Sequence, residues 1–146
     1  PRHKSSGFYP HAEAGELIRR FPRRPAMKYT LYCHRIFCFN FEQSIAIYSD
    51  TLGLPLKSVN HELGWAEFTL TGGTLALEQQ DPSDEEARVL VGRFLGISLQ
   101  VENVNDAYAE LVSKGVIFQG SPEEQEWGAS LAHFKDPDGN VLTLLG

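Results

Sequence analysis

The chain has 146 residues, 42% of them hydrophobic and 22% charged, with a net charge of −6. That length suits one domain with its own core rather than two, and no apolar run approaches the roughly 20 residues of a membrane-spanning helix. The charge is uneven: residues 1–26 carry six basic and two acidic side chains, whereas residues 27–146 carry seven basic and seventeen acidic, a net of −10. So acidic a region repels nucleic-acid phosphates and favours neutral or cationic ligands.

Residues 1–26 hold four prolines and few paired apolar residues, and they end at Met27, the only methionine. They read as a poorly structured extension, foreign to or upstream of a single domain over residues 27–146. No stretch there pairs a positive region with an apolar one, so no secretory signal is expected. Cys33 and Cys38 lie five residues apart, on opposite faces of one strand, and are expected to stay free thiols in a cytoplasmic setting.

Tyr29 to Phe39 is rich in β-branched and aromatic residues and reads as a strand. Asn40 is placed to cap a helix over Phe41–Leu52, with Phe41, Ile45, Tyr48 and Leu52 on one apolar face and Gly53 as its left-handed end. Strands follow at about Leu56–Asn60, Trp65–Leu70 and Thr74–Gln80, the last two joined at Gly72-Gly73. Asp81 to Arg93 has the composition of a solvated linker.

The same order then returns. Gly96 to Val101 alternates as a strand, Asn103 is placed to cap a helix over Val104–Ser113, and Gly115 ends it. Strands are expected near Val116–Phe118, Ala129–Phe134 and Asn140–Leu145, the last two joined by the tight turn Asp136-Pro137-Asp138-Gly139. Glu123-Glu124 reads as solvated surface. A shift of 63 residues lays Asn40 on Asn103 and Tyr48 on Leu111. Two βαβββ modules, about 27–80 and 94–146, make an α+β protein whose sheets are expected to form an incomplete mixed β-barrel with helices outside and a cleft inside.

Asn40-Phe41-Glu42-Gln43-Ser44-Ile45-Ala46-Ile47-Tyr48, followed by Thr51-Leu52-Gly53-Leu54, resembles the first helix of the glyoxalase, bleomycin-resistance and extradiol-dioxygenase (vicinal oxygen chelate) superfamily. Asp136-Pro137-Asp138-Gly139-Asn140 is similar to its last hairpin, and Glu124-Gln125-Glu126-Trp127-Gly128 to the segment before that hairpin in the bleomycin-resistance branch. In the superfamily's enzymes the resemblance implies a divalent metal with four cleft ligands. Counted from Asn40, Asn103 and Asp136, those positions hold Cys33, Ala76, Gly96 and Thr143. Ala76 and Gly96 have no donor side chain, so neither a metal nor another cofactor is expected. His34, next to Cys33 but of opposite parity, is expected to pack against backbone, and His61 to be solvated.

The same parity puts Arg35 and Phe37, then Glu78 and Gln80, on the cleft face of the first module. In the second it puts Ser98, Gln100, Leu131 and His133 there, with Trp65, Glu67 and Trp127 at the rim. Ten of these are the expected ligand-binding set: Arg35, Phe37, Trp65, Glu78, Gln80, Ser98, Gln100, Trp127, Leu131 and His133. The resemblance implies a homodimer, because members of the family pair modules between chains. The resulting expectation is metal-independent binding of a small, cationic or aromatic molecule, as in antibiotic sequestration. The rival is a metal-dependent lyase, isomerase or dioxygenase built on Glu78 and His133, and whether the chain is an enzyme stays open. No nucleic acid or membrane partner is expected.

Overall fold

Strand and helix alternate twice in the same order. In the computed structural model, which describes residues 27–146, β1 (His34–Cys38) leads into α1 (Phe41–Ala46), which continues as a π-helical turn over Ile47–Thr51. Then come β2 (Leu56–Asn60), β3 (Trp65–Leu70), β4 (Gly73–Gln79) and a short helix α2 (Glu85–Leu90). The second half runs β5 (Phe94–Gln100), α3 (Val104–Ser113), β6 (Ile117–Phe118), β7 (Glu123–Glu124), β8 (Ser130–Lys135) and β9 (Val141–Leu145).

The strands form two mixed sheets of matching topology, ordered β1-β4-β3-β2 and β5-β9-β8-β6, with β7 also paired to β8. In each sheet the first strand lies parallel to the last, a pairing that needs a crossover, and the remaining pairs are antiparallel. This is the expected α+β arrangement of two βαβββ modules, and the barrel is not closed.

Alternation along each strand selects the buried face. Ile36, Cys38, Ala66, Phe68, Leu75 and Leu77 pack beneath Phe41 and Tyr48 of the first helix, while Ala132, Phe134, Leu142 and Leu144 pack beneath Val104 and Leu111 of α3. Both sets belong to one continuous core. Burying each large apolar side chain contributes about 1.5–3 kcal/mol.

The halves are joined by polar contacts as well. Asp138 Oδ2 accepts from the backbone N–H of Phe39 (3.0 Å) and Asn40 (3.2 Å), and its Oδ1 accepts from Asn40 Nδ2 (2.9 Å). The buried Tyr48 hydroxyl donates to Asp136 Oδ2 at 2.9 Å, and Asn140 Nδ2 donates to the Phe37 carbonyl at 2.9 Å. Among the described residues, every hydrogen bond between the two modules starts or ends in Asp136–Asn140. Gly139, at φ 81°, makes the turn possible.

Several expectations need correction. The first strand begins at His34, not Tyr29, where its pairing with β4 starts opposite Leu75. Asn40 does not cap the first helix with its side chain, since its amide is drawn to Asp138. Asn103 does cap α3, accepting from Asp106 N–H at 2.9 Å. The linker contains α2, started by Asp84, whose carboxylate accepts from Glu86 N–H at 3.0 Å. Glu123-Glu124 is exposed, as expected, and forms a short strand against Leu131 and Ser130. His34 is exposed rather than packed, and His61, though exposed, lies 2.7 Å from Glu42. The expectations about residues 1–26 lie outside the described residues.

Candidate functional site

On the face of the first sheet turned away from its helix, two rows run across β1, β4 and β3. Arg35, Ala76 and Glu67 form one row, and Phe37, Glu78 and Trp65 the next. The small Ala76 side chain is fully buried between Arg35 and Glu67 in its row. Arg35 Nη1 is 3.4 Å from Glu78 Oε2, and its guanidinium carbon sits 5.2 Å from the centre of the Phe37 ring. Gln80 Nε2 donates to the same Glu78 oxygen at 3.4 Å. The geometry is that of a cation held between a carboxylate and an aromatic face.

Glu67 was expected only at the rim, yet it is the more firmly fixed carboxylate. Its Oε1 accepts from the Trp65 indole (2.9 Å) and the Tyr32 hydroxyl (3.0 Å), and Lys57 Nζ lies 3.8 Å from Oε2. The Trp65 and Tyr32 bonds, with Lys57 beside them, hold its pKa below the ordinary value, so it stays ionised. Its spacing of two from Trp65 is the sequence signal for this role, because residues i and i+2 share a strand face.

The corresponding face of the second sheet carries the other set. His133 lies opposite Thr143 and Thr143 opposite Ser98, while Leu131 and Gln100 flank Leu145 in the next row. His133 Nδ1 is 2.8 Å from Thr143 Oγ1, and the Phe94 ring stands edge-on at 5.5 Å. That bond fixes the imidazole and leaves Nε2 available as donor or acceptor, according to the tautomer. Phe94 is 61% exposed and Trp127, on the turn before β8, 60% exposed, which is unusual for such large rings.

The ten expected residues therefore fall into two groups. Arg35, Phe37, Trp65, Glu78 and Gln80 sit on or beside the first sheet, and Leu131 and His133 on the second with Trp127 nearby. Ser98 and Gln100 lie on β5, whose edge also borders a groove described below. Among the described residues, no hydrogen bond or ion pair links the first group to the second.

The four positions that the family resemblance implies for metal ligands are Cys33, Ala76, Gly96 and Thr143. Ala76 is fully buried in its row and offers no donor, and Gly96 sits in the left-handed region at φ 68° with no side chain at all. Thr143 is occupied by His133. The side chains at the four positions do not fit the family's ion, and among the described residues no three His, Cys, Asp or Glu side chains converge to hold one elsewhere.

The sequence model of the Glyoxalase/Bleomycin resistance protein/Dioxygenase superfamily matches residues 29–144. The chain belongs to this superfamily. The uncharacterised protein YraH of Bacillus subtilis (strain 168) is 32% identical over 119 residues, covering 75% of this chain and 92% of its own. A superfamily member from Sphaerobacter thermophilus DSM 20745 superposes with a TM-score of 0.66 at 27% identity, covering 82% of this chain and 98% of the other. TnmS3, an antibiotic binding protein from Streptomyces sp. CB03234, superposes with a TM-score of 0.63 at 26% identity, covering 82% and 97%. Among the described residues, no helix of this glyoxalase-superfamily chain is long and apolar enough to cross a membrane.

Proposed function

We propose that this chain is a metal-independent small-molecule-binding protein whose cleft is completed between two copies, the first sheet of one facing the second sheet of the other. The observation that carries this reading is the division of the ligand-facing residues into two groups that share no polar contact, while every intermodule hydrogen bond lies at the Asp136–Asn140 turn. Each group alone is an open face, and large exposed rings such as Phe94 and Trp127 are the composition of a surface that another surface covers.

Chemistry favours a planar ligand with a cationic group. Glu67 supplies negative charge beside Trp65, a cationic ligand would take the place of the Arg35 guanidinium between Glu78 and Phe37, and His133 and Trp127 supply a polar contact and a second aromatic surface. The antibiotic-binding description of TnmS3 and the net charge of −10 over residues 27–146 support a drug-sequestering role. Free Cys33 and Cys38 support a cytoplasmic setting.

The test is complementation between two binding-deficient variants. Glu78→Ala and His133→Ala should each weaken quenching of tryptophan fluorescence by bleomycin or ethidium about 10–100-fold. Unfolded and refolded together, they should regain tight binding at about one site per mixed dimer, because one cleft then carries neither change. Recovery of nothing on mixing would mean that both residues act within one chain.

A further inference from the structure

The two junctions between the modules are related by the internal repeat, yet only one is sealed. Where α1 meets the β8–β9 hairpin, Tyr48 and the Asp136–Asn140 turn close the junction with hydrogen bonds. At the corresponding place, where α3 meets the β3–β4 hairpin, Leu111 replaces Tyr48 and Thr71-Gly72-Gly73 replaces the aspartate turn, and a groove of about 1290 Å³ runs between the modules. Its walls include Leu52, Leu54, Leu70, Leu95, Ile97 and Leu99, which pack against the core but remain only partly buried.

The charged side chains bordering the groove are Asp50, Glu102, Glu110 and Lys114, with His34 also on the wall. Lys114 Nζ is 3.0 Å from Glu110 Oε1, so these two offset one another. Among the described residues, no cationic side chain pairs with Asp50 or Glu102. An apolar trough with uncompensated negative charge at its border is complementary to a ligand with an apolar body and a positive head. The volume exceeds the roughly 300–1,000 Å³ that drug-sized ligands fill, which suits a flexible chain lying along the trough.

We propose that this groove is a second ligand site, separate from the intersubunit cleft, that takes an amphipathic cation: an alkyl or aryl-alkyl chain along Leu95–Leu99 and Leu111, and an ammonium or amidinium group at Asp50 and Glu102. Neither Glu78 nor His133 takes part in it, so it does not rest on the function proposed above. The wall it shares with the cleft is the edge of β5, at Ser98 and Gln100.

The experiment is a titration of the full chain with octyltrimethylammonium below its micelle concentration, followed by backbone and indole N–H shifts in nuclear magnetic resonance. The expected result is saturable shifts at Leu111 and Lys114 with the Trp65 and Trp127 indoles unmoved. Octyl sulfate should bind about fivefold more weakly or not at all, since two surface charges oppose it. Tetramethylammonium, a head without a chain, should not bind. Ile97→Trp fills the trough and should cut affinity at least about tenfold, and Glu102→Lys, an exposed change that leaves packing alone, should cut it about fivefold. Equal affinity for octyl sulfate, shifts confined to the indoles, or no saturable shift would each overturn the proposal. So would groove amides that shift on protein dilution without probe, because a second copy would then be the occupant.

Discussion

Asp136 holds a carboxylate away from water and still has four donors: Tyr48 Oη, Asn140 Nδ2, and the backbone N–H of Asn140 and Asp138, all within 2.8–2.9 Å. Desolvation nonetheless outweighs them and raises its pKa above the ordinary 3.8. The folded chain therefore holds this proton more tightly than the unfolded chain does. The stabilisation is fully present below about 3.8 and is lost as pH rises through the raised folded value. Wild type should lose urea stability with rising pH more steeply than Asp136→Asn in the window just above 3.8, and the two curves should run parallel near neutral pH. Parallel curves throughout would mean that the carboxylate titrates alike in both states. Cys38 differs in kind: burial pushes its thiol up to about 12, so it stays protonated and acts as a small apolar side chain.

At the scale of elements, β5 departs most from regularity. Its pairing with β9 slips between Phe94 and Ser98, and Gly96, at φ 68°, sits in that slip. A β-branched residue there meets open space but a forbidden backbone, so Gly96→Val should cost about 1–3 kcal/mol in chemical denaturation. An unchanged midpoint would mean that the strand re-registers freely. The same glycine shows what the sequence could and could not reveal. Strands Leu56–Asn60 and Trp65–Leu70 and helix Val104–Ser113 have the expected bounds; Trp65–Leu70 buries Ala66 and Phe68 on one face and the helix buries Val104 and Leu111, whereas Leu56–Asn60 is an exposed edge strand held by its pairing with Trp65–Leu70. The π-turn of Ile47–Thr51 and the slip at Gly96 were hidden, since both are answers to tertiary packing that leave no period in the sequence. Glu67 was only half legible: its first donor, Trp65, lies two residues away on the same strand, but its second, Tyr32, lies 35 residues away. Parity alone named Arg35, Phe37 and Glu78 as neighbours, and the register brings them together. It could not say that the face of one module would share no polar contact with that of the other.

For the whole molecule, the proposed division of the cleft between copies would tie ligand binding to protein concentration. Binding of ethidium or bleomycin should fall away on dilution in step with the loss of dimer seen by sedimentation velocity, and ligand should in turn hold the dimer together. Binding that persisted in a demonstrable monomer would return the cleft to a single chain. The net charge of −6 makes copies repel at long range, so raising salt should favour the proposed dimer while weakening capture of a cationic ligand.

The turn that fastens the modules also has a position in time. Its bonds reach back 88–103 residues, to Phe37, Phe39, Asn40 and Tyr48. β9, which immediately follows it, is also the strand that joins β5 to β8. A chain emerging from the ribosome can complete its first sheet early, but the second sheet and the fastening both wait for residues 136–146. Until that segment emerges, the Tyr48 hydroxyl and the Phe37 carbonyl of the first half stand without these partners, and a stop before Asp136 would leave the second sheet without the strand that joins its edges.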